Sequence, residues 1–134
     1  MPPPAAAPPT HFDPVALRGD LFDSAEALRT VLEAFGPWLS DTRARLDAAA
    51  ALNDPAQVGA IAHALRGGLA QTRAAAAVER VRELEAVCRD GAEGPLNTEP
   101  CLRALNEELD ALASEIAAVL ASTKAPRAQK TFPE

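Results

Sequence analysis

The chain has 134 residues, 48% of them hydrophobic, and a formal net charge of −6. That is enough for one domain with a buried core and tails, and the acidic balance argues against nucleic-acid binding, which needs basic side chains to neutralise phosphates. No stretch reaches about 18 uncharged apolar residues, and MPPPAAAPPT lacks a basic start and an apolar run, so neither a membrane span nor a secretory signal is expected.

The apolar residues are mostly Ala and Leu, with four Phe, one Trp and no Tyr. Ala and Leu favour helices, and there is no β-branched run to suggest a sheet. The expected fold class is therefore all-α. Cys88 and Cys101 have neither zinc nor redox spacing. With His11 and His63 as the whole histidine supply, a metal site built by this protein is not expected. The expected setting is a reducing cytoplasm, with both cysteines as free thiols.

Residues 1–11 contain five prolines, favour extended polyproline-like conformations and read as a linker or tail. A short helix follows over Asp13–Arg18, with Asp13 as N-cap and Pro14 at the first helical position. The first long helix starts near Ser24, and Asp23 with Glu26 resembles a capping box. Leu28, Val31, Leu32, Phe35, Leu39 and Leu46 recur at helical steps across Gly36-Pro37, which predicts one kinked helix rather than two.

The second long helix takes Asp54 as N-cap, with Pro55 and Gln57 behind it. It carries Val58, Ile61, Ala62, Leu65 and Leu69 on one face and ends near Thr72. The third runs over Ala74–Arg89 with Val78, Val81, Leu84 and Cys88 inward, and Gly91 is its stop. After a loop over Ala92–Asn97, the fourth starts near Thr98 with Leu102, Leu105, Leu109, Leu112, Ile116 and Val119 on one face. Residues 123–134 read as a polar C-terminal tail. Short links between amphipathic helices predict an up-and-down four-helix bundle over residues 12–122.

His63 is the most informative residue. It borders the apolar stripe of its helix, and Gly59 and Gly67 lie one turn away on either side, with Gly68 next. Glycine inside a helix costs about 0.5–1 kcal/mol relative to Ala. Three of them around one histidine, in so Ala-rich a chain, suggest a place where a partner's backbone or a phosphoryl group comes close. A neutral imidazole is a good nucleophile near neutral pH. Its attack on a phosphoaspartate gives a phosphoramidate that can be passed on, and Arg66, three residues later, can bind phosphoryl oxygens. No acidic cluster or glycine-rich loop is present to hold Mg²⁺ or a nucleotide, so a partner would have to supply the metal. The bland alternative is an ordinary exposed helix histidine. Trp38 reads as core or as a cap over a bundle end, with a docking anchor as the sharper alternative. His11 reads as solvated. Glu79, Arg80, Arg82, Glu83, Glu85 and Arg89 read as a solvated charged face.

The run Ala62-His63-Ala64-Leu65-Arg66-Gly67-Gly68 resembles the signature of histidine-containing phosphotransfer (HPt) domains, in which a phosphorylatable His is followed by x-Leu-Lys-Gly and small residues. Phe12-Asp13, Phe35, the turn Asn53-Asp54, and Leu84-Glu85 at their distance from His63 are similar too, so the resemblance spans roughly residues 12–120. It implies a four-helix bundle with His63 as phosphoacceptor, Arg66 in place of the usual Lys, Gly67 admitting the receiver domain, and Gly68 at a small-residue position. It also implies a phosphoryl carrier without kinase activity or a cofactor of its own, with Mg²⁺ supplied by the partner. The implied partners are response-regulator receiver domains and a sensor histidine kinase, hybrid or separate; the Pro/Ala-rich front favours a domain ending a hybrid kinase. Arg66, Leu69 and Arg73 depart from the pattern. Two alternatives stay open: an HPt-like docking module that binds and regulates a kinase or regulator without transfer, and a bundle that only oligomerises.

Overall fold

A helix leaves its first backbone N–H groups without partners, and a short side-chain oxygen just ahead of it can satisfy one. In this computed structural model, which describes residues 11–90 and 98–130 and side chains up to residue 122, three helices begin that way. Asp13 accepts from the Ala16 N–H at 2.9 Å to start α1 (Pro14–Asp20). Ser24 accepts from Ala27 at 3.0 Å to start α2 (Ala25–Ala51). Asp54 accepts from Gln57 at 3.2 Å to start α3 (Pro55–Gln71). Two further helices follow, α4 (Ala75–Asp90) and α5 (Glu99–Lys130).

The cap of α2 is thus Ser24, not Asp23. Asp23 and Phe22 instead form a left-handed turn with φ of 60° and 59°, fastened by the Asp23 N–H donating to the Arg18 carbonyl at 2.8 Å. The α2 helix runs through Pro37 without a break. The α5 helix continues past residue 123, where a tail was expected, to Lys130; the Ala, Lys, Arg and Gln content of that stretch favours helix despite Pro126. Residues 1–10, Gly91 with the 92–97 loop, and residues 131–134 lie outside the described residues.

Three-residue turns at 52–54 and 72–74 reverse the chain between α2, α3 and α4, which makes neighbouring helices antiparallel. The α2 and α4 helices each pack against both α3 and α5, while α1 lies on α2. The result is an all-α up-and-down bundle with a short N-terminal helix. Leu32, Leu46, Leu65, Leu69, Leu84, Leu105, Leu109 and Leu112 fill its centre. Burial of each contributes about 1.5–3 kcal/mol, so the bundle forms a rigid base for the surface of α3.

The turn between α3 and α4 carries a departure from the HPt pattern. Arg73 adopts φ 64°, a left-handed conformation that costs a non-glycine residue about 1–2 kcal/mol. Its guanidinium is held by Asp20 through two bonds of 2.8 Å, which push the Asp20 carboxyl below the usual range. Its carbonyl accepts from the Asp13 N–H at 3.1 Å. Arg73 therefore ties both ends of α1 to the far end of the histidine helix.

His11 is a correction to its expected solvation. Its Nδ1 lies 2.6 Å from Glu108 Oε2 and its backbone N–H donates to Glu115 Oε1 at 3.1 Å, so it clips the entering chain onto α5. The bond to Glu108 raises its pKa above the ordinary 6.5 against a smaller opposing effect of burial, and the charges of Glu108 and Glu115 add to the rise. A raised folded pKa stabilises below the unfolded value and loses that stability as pH climbs through the folded value. Urea unfolding from about pH 5 to about pH 9 should show the advantage of wild type over His11→Gln shrinking as pH rises; a pH-independent difference would contradict the clip.

Candidate functional site

His63 sits mid-way along α3, on the side away from Val58, Ala62, Leu65 and Leu69, which are buried. Its side chain is 73% exposed. Its neighbours Ala60, Ala64, Gly67 and Ala70 are small and exposed, and Arg66, three residues on, is the long side chain of α3 that reaches the ring.

Beneath the ring lies Glu85 of α4. Its side chain is only 16% exposed, because its neighbours Val81, Leu84 and Cys88 form the buried stripe of α4. A carboxylate so placed needs partners, and it has two. Arg66 Nε donates to Oε1 at 2.6 Å. Oε2 lies 3.3 Å from His63 Nδ1 and 3.5 Å from the same guanidinium. The Nη2 of Arg66 in turn lies 3.1 Å from His63 Nδ1. His63, Arg66 and Glu85 thus form a closed triangle centred on one ring nitrogen.

Two arrangements fit this triangle. With a proton on Nδ1, the ring donates to Glu85 and leaves the Nε2 lone pair outward. With Nδ1 bare, Arg66 donates to it and Nε2 carries the proton. Only the first has a nucleophilic Nε2, and in it Glu85 faces the positive charge that builds on the ring when Nε2 is substituted. Among the described residues Nε2 makes no hydrogen bond. Glu85 was expected on a solvated face; its position one step past the buried Leu84 is the signal that places it at the edge of the helix interface instead.

The three glycines have different surroundings. A Cβ at Gly67 would meet nothing within 4 Å, so that position is open to a visitor. A Cβ at Gly59 would stand 3.9 Å from Cys88 Cβ, an ordinary contact that places Gly59 toward α4. A Cβ at Gly68 would overlap the Trp38 ring, with Cζ3 2.7 Å away. Trp38 of α2 lies over Gly68, tilted 36° against Phe35 with centroids 5.4 Å apart, and is itself 36% exposed. It forms one wall of a groove of about 720 Å³ between α1, α2 and α3, whose α3 wall includes Ala64, Gly67 and Gly68. Both cysteines are free, and burial pushes both thiols up.

Among the described residues no group of three His, Cys, Asp or Glu is arranged to hold a metal ion, and no helix is long and apolar enough to cross a membrane. Residues 18–115 match the family model of the Hpt domain. The match covers well over half of the chain, which belongs to that family. No curated protein and no solved structure matches it. Hpt domains are phosphocarriers of two-component phosphorelays, lack kinase activity of their own, and interact with receiver domains and kinases.

The glycine environments make opposite predictions for two neighbouring substitutions. Gly67→Ala adds a methyl into open space and should raise stability by about 0.5–1 kcal/mol through helix propensity. Gly68→Ala should lower it by about 1 kcal/mol, as the displaced indole outweighs the same gain, with a red shift of the Trp38 fluorescence. Equal effects in chemical denaturation would contradict the packing of Trp38 on Gly68.

Proposed function

We propose that His63 is the phosphoacceptor of a phosphorelay, taking a phosphoryl group from the aspartate of one response-regulator receiver domain and passing it to another. The observation that carries this reading is the exposed imidazole whose Nδ1 lies within donating distance of Glu85 Oε2, at 3.3 Å, while Nε2 makes no hydrogen bond among the described residues. In the transfer, the Nε2 lone pair forms a bond to phosphorus as the bond between phosphorus and the aspartate oxygen breaks. The electron pair leaves with the carboxylate. The Nδ1 proton stays on the ring, facing Glu85, and no proton has to leave the site. The Nη groups of Arg66, held beside the ring, offer charge-assisted bonds to the phosphoryl oxygens.

Positioning and charge neutralisation carry most of phosphoryl transfer, and the remaining residues serve positioning. Gly67 leaves room for a receiver's backbone. Gly68 seats Trp38, which shapes the apolar groove alongside. Gly59, one turn before His63, leaves the helix surface toward α4 without a side chain. The domain brings no cofactor; Mg²⁺ belongs to the receiver. A sensor histidine kinase, in the same chain or a separate one, charges the first receiver, and the reading implies a cytoplasmic relay. Non-catalytic docking is the competing reading, and it predicts binding without transfer.

Incubation with a panel of phosphorylated receivers and Mg²⁺ tests the proposal. Wild type should acquire an acid-labile, base-stable phosphate and His63→Gln none, with the helical circular dichroism of the two unchanged. Glu85→Gln should slow transfer by about tenfold or more, as expected for loss of a preorganised charge, with receiver affinity unchanged. Label retained on His63→Gln would overturn the assignment. Receiver binding with no label on wild type would favour the docking module.

A further inference from the structure

The apolar groove flanks His63 on the α2 side. On the α4 side the surface is of a different kind: an open cleft of about 330 Å³ lined by Arg66, Arg82, Glu85 and Arg89. Arg82 stands three residues before Glu85 and Arg89 four after it, so the three share one face of α4. Glu85 is already committed to Arg66 and His63. The partner of Arg82 is Glu79 at 3.9 Å, and both side chains are well exposed, a geometry that holds a charge only weakly. Arg89 has no ion pair among the described residues. The cleft therefore gathers three guanidinium groups around one carboxylate, in a chain whose net charge is −6.

Resting on the transfer reading above, we infer that Arg82 and Arg89 are specificity-determining residues: they form a cationic flank that receives acidic side chains next to the phosphoaspartate of the incoming receiver. The occupant is a protein surface rather than a free anion. The arginines are spread along an exposed helix face, where a single small ion gains little. A receiver site that binds a divalent cation with oxygen ligands is built from carboxylates by its own chemistry, and guanidinium forks match carboxylates in pairs. Such rim charges act chiefly on encounter, raising association rates by 10- to about 1,000-fold at low salt and losing that effect as salt screens them. The two flanks together set the orientation in which a receiver meets His63: an apolar contact over α1 to α3 and a charged one over α4.

The test compares wild type, Arg82→Glu/Arg89→Glu, the conservative Arg82→Lys/Arg89→Lys, and Arg45→Glu/Arg103→Glu, which makes the same change of net charge away from the site. Transfer from phosphorylated receivers and receiver affinity, read by Trp38 fluorescence, are measured across a salt series. Labelling by the small phosphodonor phosphoramidate is measured alongside. The cleft reversal should lower kcat/KM about tenfold or more at low salt, with the loss vanishing at high salt. Its kcat at saturating receiver and its phosphoramidate labelling should match wild type. The lysine pair should keep most of the rate, and the distant reversal should change it little. Equal losses in the two reversals, or a loss that persists at high salt, would overturn the inference. If receivers bind but never transfer, the affinity series decides the same point while the carrier reading alone fails. If no receiver binds, both fail.

Discussion

The site depends on one interaction, the contact of Arg66 with Glu85 across the α3–α4 interface. A carboxylate largely withdrawn from water has to be compensated, and Glu85 is compensated by the 2.6 Å bond from Arg66 Nε. That bond fixes the guanidinium so that its Nη2 reaches the Nδ1 side of His63. With its proton on Nδ1 the ring donates to Glu85, which Arg66 in turn holds in place, and its other nitrogen points outward. The bundle supplies the rest: Leu65 and Leu69 on α3 and Val81 and Leu84 on α4 are fully buried, so the two helices cannot slide and change the distance between Glu85 and His63. The charge chemistry sits at the surface, and its geometry is set by the core.

The same core explains why one face of α3 can be made almost entirely of alanine and glycine. Helix stability here comes from packing on the inner face, which leaves the outer face able to tolerate Gly67 in the open. The glycine pair that follows His63 is split between two tasks. Gly67 leaves space outside the domain, and Gly68 makes space inside it for Trp38. Around this face the surface changes character within a few residues, from the groove shaped by Trp38 to the cleft shaped by arginines. The proposed receiver contact would use shape on one side and charge on the other.

Much of this was legible in the sequence. Periodicity identified the inward faces of all four long helices, and the Asp13-Pro14 and Asp54-Pro55 pairs identified two of the starts, because those signals are local. Ser24 and Asp23 both suit a cap, and only the backbone turn at Phe22 and Asp23 distinguishes them. The functions of Glu85 and His11 were hidden for a different reason. Glu85 meets His63 across 22 residues and His11 meets Glu108 across 97, and a helical period tells which face a residue is on but not what lies opposite. Gly68 was read with Gly67 as part of one open patch, since no local pattern reveals that Trp38 lies over it. The helix beyond residue 123 was missed because Pro126 was weighed above its helix-favouring neighbours.

The most direct measurement of the account is the position of the phosphoryl group on the ring. NMR of the phosphorylated domain, with ¹⁵N-labelled histidine and phosphorus coupling, distinguishes substitution at Nε2 from substitution at Nδ1 and separates His63 from His11. The account predicts phosphorus on Nε2 of His63 alone, with Nδ1 protonated and directed at Glu85. Phosphorus on Nδ1, or on His11, would contradict it.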